Sequence, residues 1–245
     1  MLRRGAFEFF VIVAGILAAF YVDEFRDARR IAALEEEYAE RLQSDLADAV
    51  QNLTTGAAWA ADRADGGRSV ISHLAGEEEL APSALAAAAY GAGLVPIARE
   101  RRLGRRTTFD ELVSTGNLGT IQDTELRDRL ARYYEEYARI GGRVEDWPAD
   151  WRESVGSMLH PDVILALEAD RVCRLESATP SECVLSASHL DLARFSQRLA
   201  EQHLRFAGEL NRIVQYQDRQ RDDLLGFLTM TETMLADLRE SGLVR

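Results

Sequence analysis

The side chains in this sequence that could carry chemistry are two cysteines, four histidines and a cluster of arginines. Cys173 and Cys183 bracket the polar stretch CRLESATPSEC, which contains no histidine. This spacing, without a further ligand pair nearby, favours a disulfide over a zinc site, and two independent thiols in a loop are the alternative. Closing so short a loop would stabilise the fold by about 2–3 kcal/mol, and only in an oxidising compartment.

The histidines predict neither a metal site nor a catalytic group. No two of them stand three or four residues apart, the spacing at which helical side chains share a face. They are His73, His160, His189 and His203. The sequence also lacks the usual nucleotide-binding, zinc-binding, calcium-binding and hydrolase motifs. We therefore expect no enzymatic activity, no metal and no cofactor.

Five arginines cluster in the stretch RERRLGRR, within a chain whose net charge is −12. They are Arg99, Arg101, Arg102, Arg105 and Arg106. One interpretation is contact with phosphate, lipid headgroups or an acidic partner, and the other is a solvated loop that balances nearby carboxylates. Because the chain as a whole is acidic, nucleic acid is not an expected partner.

The elements that must position these groups begin with an apolar run. From Gly5 to Val22 the only charged residue is Glu8. A helix of this length extends roughly 27 Å, which is close to the hydrocarbon thickness of a bilayer at about 30 Å. The end of the run offers no pair of small residues suited to signal-peptide cleavage. We expect an uncleaved transmembrane anchor, with a cleaved signal peptide and a buried core helix as the alternatives.

Five residues of this run are the predicted contacts with neighbouring transmembrane helices. Glu8 can pair with Arg4 at the start of the helix, or it can form a hydrogen bond with another span. The other four form two pairs of small residues four positions apart, a spacing that lets a second helix approach closely. These pairs are Ala14 with Ala18 and Gly15 with Ala19.

The rest of the chain predicts an all-α fold. Five prolines and few β-branched runs leave little room for a sheet. Two apolar stripes at spacings of three and four predict two long helices that pair in antiparallel directions. The first stripe is Ile31, Leu34, Tyr38, Leu42, Leu46, Ala49 and Leu53, and the second extends from Leu192 to Leu238. A polar gap in the second stripe, residues 215–223, is interpreted as a solvated turn of helix.

The predicted boundaries separate a transmembrane anchor from one helical domain. The anchor is residues 1–22 and the domain is residues 23–245, which comprises a long helix at 23–55, short helices within 57–167, a disulfide loop at 168–186 and a long helix at 187–240. Residues 54–56 (Thr-Thr-Gly) are expected to end the first long helix, and a Gly-Glu-Glu-Glu stretch is expected to end the alanine-rich helix that follows.

Local signals also place structure in the middle of the chain. Thr108 and Glu111 match the capping-box pattern T-x-x-E, and Asp123 is expected to cap the helix that follows the turn STGNLG. That helix carries Tyr133, Tyr134 and Tyr137. Tyrosine and arginine are enriched at the energetic centres of interfaces, so the three tyrosines and the arginine cluster are predicted partner surfaces.

Two stretches resemble a family of bacterial single-span membrane proteins. The first is the apolar run with its early glutamate together with the charged helix after it, residues 1 to about 60. The second is TTFDELVSTGNLGTIQDTELRDRLARYYEEY, residues 107–137, which is similar to the family pattern YDEL-SSGNL-ELR-YY. The resemblance implies a membrane-anchored helical domain. It supplies no catalytic residues, because the family is known as a domain of unknown function.

Taken together, these features predict a non-enzymatic accessory subunit that packs against a larger inner-membrane complex, such as a respiratory, photosynthetic or transport assembly. The expected partners are other integral membrane subunits and the lipid bilayer. We expect the amino terminus in the cytoplasm and the domain in the periplasm, because a disulfide requires an oxidising compartment. The alternative is a periplasmic helical sensor or ligand-binding module that acts through a separate membrane partner.

Overall fold

A computed structural model describes residues 2–92, 103–143, 155, 157–159, 161–176 and 189–243. Within these ranges, side chains are not described for residues 2–12, 14, 143, 168, 170–176, 189, 190 and 203–206. All regular structure in the described part of the chain is helical, which confirms the predicted all-α class.

The described residues form seven α-helices and one short 3-10 helix. They are α1 (Leu2–Ala75), α2 (Pro82–Ala92), α3 (Thr107–Ser114), the 3-10 helix η1 (Asn117–Thr120), α4 (Thr124–Arg143), α5 (Pro161–Glu176), α6 (His189–Glu201) and α7 (His203–Glu240).

Helix α1 is 74 residues long and passes through the predicted break at residues 54–56. The hydroxyls of Thr54 and Thr55 donate to the carbonyls of Val50 and Gln51, four residues earlier. These bonds satisfy the polar side chains inside the helix, so the two threonines do not end it. The helix ends just before Gly76, whose φ of 76° suits a helix terminus, as the Gly-Glu-Glu-Glu stretch predicts.

The carboxyl-terminal boundaries also differ from the prediction. The single helix expected at 187–240 is two helices, α6 and α7, which are separated at Gln202. The first part of the expected disulfide loop belongs to helix α5. The side chain of Cys173 and all of Cys183 lie outside the described residues, so the disulfide stays a prediction.

The chain divides into two compact units. Unit 1 comprises Met1–Ala49, Arg105–Glu136 and Met230–Arg245, and unit 2 comprises Val50–Gly104 and Tyr137–Thr229. Helices α1, α4 and α7 contribute residues to both units. Each unit buries its own set of apolar side chains.

In unit 1 the buried apolar residues of α1 follow the predicted stripe from Tyr38 onward, through Leu42, Leu46 and Ala49. They share the unit with buried residues of α3 and α4, among them Leu112, Leu126 and Leu130. Ile31, the first member of the predicted stripe, is exposed instead.

In unit 2 the inward face of α1 is built from small residues, including Ala57, Ala60 and Ala64. A Cβ atom placed on Gly56 would lie 3.3 Å from Leu224 Cδ1, and one placed on Gly67 would lie 2.6 Å from Val214 Cγ2. These short distances show that α1 and α7 approach closely within this unit. The later residue of α1, Gly67, lies against the earlier residue of α7, Val214, so the two helices are antiparallel there.

The polar gap at residues 215–223 does not behave as a solvated turn. Gln217 and Gln220 are buried, with 0% and 6% of their surface exposed. Gln217 Nε2 donates to the Ala92 carbonyl at 3.3 Å. The buried face of α7 therefore includes these two glutamines. The predicted solvation of this segment is wrong at both positions.

Candidate functional site

The predicted site residues fall into several separate places. Gly15, Ala18 and Ala19 are exposed on α1, and the side chains of Glu8 and Ala14 lie outside the described residues. Three of the five clustered arginines also lie outside the described residues: Arg99, Arg101 and Arg102.

The remaining two arginines of the cluster differ from each other. Arg105 is exposed, whereas Arg106 is bound to Asp110 of α3. Arg106 Nε lies 2.9 Å from each Asp110 carboxylate oxygen, and Arg106 Nη2 lies 2.6 Å from Oδ1. Arg106 thus balances a carboxylate of its own chain.

The tyrosines of α4 are core residues, so their prediction as a partner surface is wrong. Tyr133, Tyr134 and Tyr137 expose only 2–3% of their surface. In unit 1, the Tyr134 ring stacks on Phe109 with centroids 4.1 Å apart, and Tyr133 shares a 3.1 Å hydrogen bond with Thr231. The spacing of the tyrosines places them on the buried face of α4, where each ring contributes apolar area.

The most exposed apolar surface among the described residues lies near the start of α1. Every side chain from Gly15 to Ala33 is exposed. The large apolar members expose 46–72% of their surface; they are Ile16, Leu17, Phe20, Tyr21, Val22 and Phe25. Successive residues of a helix project about 100° apart, so these side chains surround the helix axis. We call residues 15–22 the exposed apolar segment, which Asp23 and Glu24 follow.

A helix that is apolar on all sides is normally surrounded by protein or lipid. None of the helices, over the residues that the structure describes, combines the length and the hydropathy that a membrane span requires. The run predicted as a span begins at Gly5, and the side chains of residues 5–12 lie outside the described residues.

A second feature is a set of polar contacts in unit 1 that we call the polar clasp. It joins four residues of α1, namely Glu35, Tyr38, Arg41 and Asp45, to Thr108, Glu111, Asn117 and Gln122. Each of these pairs is separated by at least 63 positions in the sequence. The clasp therefore fastens the segment 107–123 to a distant part of the chain.

At the first contact of the clasp, a residue of α1 caps helix α3. Asp45 Oδ2 accepts hydrogen bonds from Thr108 Oγ1 at 2.7 Å and from the Thr108 amide at 3.3 Å. The residue at the N-cap position, Arg106, makes no capping bond with its side chain. The predicted capping box of Thr108 and Glu111 is therefore wrong, because both side chains bind residues of α1.

At the second contact, the Arg41 guanidinium donates two parallel hydrogen bonds to the Glu111 carboxylate, one of them 3.2 Å long and the other from Nη2 to Oε2. Tyr38 Oη also donates to Glu111 Oε1 at 3.3 Å, and Asn117 Nδ2 donates to Tyr38 Oη at 3.2 Å. The hydrogen bond from Arg41 holds the pKa of the Glu111 carboxyl below its usual value. In return, Glu111 raises the pKa of Arg41.

At the third contact, Glu35 Oε1 accepts a hydrogen bond from the backbone amide of Gln122 at 2.7 Å. The next residue, Asp123, accepts from the amides of Glu125 and Leu126 at 2.8 and 3.1 Å, which confirms the predicted cap of α4. Gly116 supplies the turn between α3 and η1 with a φ of 73°. Local turn chemistry and long-range bonds together fix the path of this segment.

The clasp is suited to holding structure together, because its three carboxylates, on Glu35, Asp45 and Glu111, are all engaged by donors of the same chain. The sequence carried a signal for it that our predictions missed. Glu35, Tyr38 and Asp45 occur at the same three- and four-residue spacing as the apolar stripe and therefore share its buried face.

Within the part of the chain that the structure describes, no group of three or more histidine, cysteine or acidic side chains is placed to hold a metal ion. Comparison with known protein families, curated proteins and solved structures finds no match for this chain. Residues 35–45 and 108–122, which belong to the two stretches compared with a family pattern in the sequence analysis, meet at the polar clasp, and the family resemblance stays a prediction.

Proposed function

We propose that this chain is a non-enzymatic, membrane-anchored accessory subunit that packs against a larger inner-membrane complex. The observation that carries the proposal is the exposed apolar segment of α1, whose large apolar side chains project around most of the helix axis. In the proposed architecture, one transmembrane span continues into a bundle built on two long helices.

Covering the exposed apolar side chains of this segment would lower the free energy of the chain. Burying a Leu, Ile or Phe side chain gains about 1.5–3 kcal/mol relative to leaving it exposed. Ile16, Leu17 and Phe20 expose 51%, 63% and 69% of their surface. Lipid and the helices of other membrane subunits would both supply the missing cover. Tyr21 would lie at the interface, where tyrosine is enriched, and the charged residues from Asp23 onward would lie outside it.

The polar clasp supports a structural role for the rest of the chain. Arg41 and Glu111 pair with each other, and Glu35 and Asp45 accept hydrogen bonds from Gln122 and Thr108, so all four charged groups hold elements of unit 1 together. We further propose that the amino terminus is in the cytoplasm and the domain is in the periplasm, with Cys173 and Cys183 joined as a disulfide. Alkylation of native membranes with and without reductant tests this topology, and two thiols that react without reductant would contradict it.

Membrane attachment is tested by placing charge in the exposed apolar segment. A variant with Ile16→Arg and Leu17→Arg should leave the membrane fraction after an alkaline carbonate wash, because each arginine replaces an apolar side chain inside the span and costs up to about 2.5–3.5 kcal/mol, the value at the span centre. The matched control carries Leu225→Arg and Met230→Arg, at two exposed apolar positions of α7, and should stay attached. Equal partitioning of both variants with the unchanged chain would contradict the proposal.

A further inference from the structure

One row of buried residues on α1 follows a heptad spacing, with Tyr38 and Asp45 buried beside it, and the same spacing continues into the exposed part of the helix. Its buried members alternate at intervals of four and three: Glu35, Ala39, Leu42, Leu46, Ala49 and Leu53. The same intervals, continued towards the amino terminus, select Ala32, Ala28, Phe25, Tyr21 and Ala18, all of which are exposed. We call these five exposed positions the open seam.

The chain begins to cover its own seam at Glu35, which accepts the hydrogen bond from the Gln122 amide. On the amino-terminal side of that contact, the two aromatic members of the open seam expose much of their surface. Tyr21 exposes 72% and Phe25 exposes 50%. One continuous helix face is therefore covered by the chain's own residues at one end and uncovered at the other. A heptad face of this kind is covered by another helix in a coiled coil.

The charges beside the open seam favour a second copy of this helix as the partner. With Phe25 at position a and Ala28 at position d, Glu24 occupies position g and Arg29 occupies position e. In a parallel two-stranded coiled coil, a g residue lies beside the e residue five positions later on the partner helix. Glu24 of one copy would then face Arg29 of the other, and symmetry makes this opposite-charge pair occur twice.

The reverse orientation lacks this match, because an antiparallel pair brings g beside g and e beside e. In that arrangement Glu24 does not lie beside Arg29 of the other copy, so the opposite-charge pair is lost. Arg29 is also held beside the seam, since its guanidinium carbon lies 4.3 Å from the centroid of the Phe25 ring. We propose that α1 pairs in parallel with α1 of a second copy of this chain along the open seam, residues 18–32.

This pairing does not depend on the proposed membrane function. Much of the open seam lies after Val22, where the proposed span ends, and Glu24 and Arg29 are both in that part. The opposite-charge pair would therefore lie outside the lipid, and its formation would not require a membrane.

The test uses the full chain in mild detergent, with a photoreactive benzoylphenylalanine at position 25. Irradiation should produce a covalent product with twice the mass of the chain. The matched control carries the same group at position 23, which is position f and points away from the seam, and it should give little of this product. A product that joins the chain to a different protein would overturn the proposal.

Charge exchange then tests the pairing itself in the chain that carries the probe at position 25. Glu24→Arg alone and Arg29→Glu alone each create two like-charge pairs, so each should lower the dimer yield several-fold. Mixing these two variants should restore the yield, because the changed position 24 of one copy then faces the changed position 29 of the other. The double variant should also recover.

Both substitutions are at exposed helical positions, and circular dichroism should show unchanged helix content. Yields that stay at the unchanged level in both single variants would overturn the proposal. A low yield in the mixture and in the double variant would also overturn it.

Discussion

The two units bury the same helix by different means. In unit 1, the face of α1 at residues 35–45 meets the segment 107–123 through directional polar contacts, including the paired bonds between Arg41 and Glu111. In unit 2, the face of α1 at residues 53–70 meets α7 through small residues and close approach, with Gly67 against Val214. One apolar stripe thus supports two kinds of interface.

Because the two interfaces are built differently, they should tolerate different substitutions. Close packing through small residues leaves no room for an added methyl group, because a protein interior is filled to nearly crystalline density. A polar interface depends instead on each donor finding its acceptor, so the loss of one partner leaves a buried group unsatisfied. The stability of unit 2 should therefore respond mainly to changes in side-chain volume. The stability of unit 1 should respond mainly to the loss of hydrogen bonds.

The largest effect should come from removing a large buried side chain of unit 2. Phe227 is 1% exposed, and its ring lies edge-on to Tyr137 with centroids 6.2 Å apart. Phe227→Ala should lower the free energy of unfolding by about 3–5 kcal/mol, measured by urea titration followed by circular dichroism. Leu225→Ala, at an exposed position two residues earlier, should change it by less than about 0.5 kcal/mol. Similar losses in both variants would contradict the assigned core.

Removing the carboxylate that caps α3 should be the next largest effect. Asp45→Ala leaves the Thr108 amide and hydroxyl without their acceptor, which should cost about 1–3 kcal/mol. Asp48→Ala, at an exposed position of the same helix, has the same change in helix propensity and serves as the control. Hydrogen exchange at the amides of α3 should accelerate in the Asp45 variant alone. Unchanged hydrogen exchange in α3 of the Asp45 variant would contradict the assignment of Asp45 as the cap of that helix.

A smaller effect should separate two glycines of unit 2. Gly67→Ala adds a Cβ atom 2.6 Å from Val214 Cγ2, so a packing cost of about 1–3 kcal/mol should exceed the gain in helix propensity and leave a net loss of about 1 kcal/mol. Gly226→Ala meets no atom within 4 Å and should stabilise the protein by about 1 kcal/mol. Opposite shifts of the urea midpoint are expected, and a gain in both variants would contradict the close approach.

The smallest effect should be a change in how stability depends on pH. Arg41 lowers the pKa of the Glu111 carboxyl, so the ion pair stabilises the fold at neutral pH. This contribution should be lost as the pH falls below the usual value of 4.5 and through the lowered folded-state pKa. Glu111→Gln should therefore lose less stability on acidification than the unchanged protein, compared by urea midpoints. Parallel pH curves for the two proteins would contradict the pairing.

The features that the sequence predicted correctly depend on neighbours along the chain. Asp123 caps α4 because its acceptor reaches amides two and three residues later, and Gly76 ends α1 through its own backbone conformation. The apolar stripes of α1 and α7 were predicted from spacing alone, because a helix repeats every 3.6 residues. Local chemistry of this kind is complete within a few residues.

The incorrect predictions share a dependence on distant residues. Thr108 and Glu111 have the spacing of a capping box, but Asp45 and Arg41 bind them from 63 and 70 positions away. The tyrosines of α4 have the composition of an interface, but they are buried in the cores of their units. Gln217 and Gln220 have the polarity of a surface, but α7 turns them inward. Sequence spacing gives the face of a helix and does not identify what that face meets.

The proposed accessory role is best tested by gentle detergent extraction of native membranes, followed by native gel separation and mass spectrometry. The chain should migrate at high mass with a fixed set of other integral membrane subunits. Migration only as a single chain or as a pair of copies would contradict the accessory role, and a pair of copies would still agree with the open seam of α1.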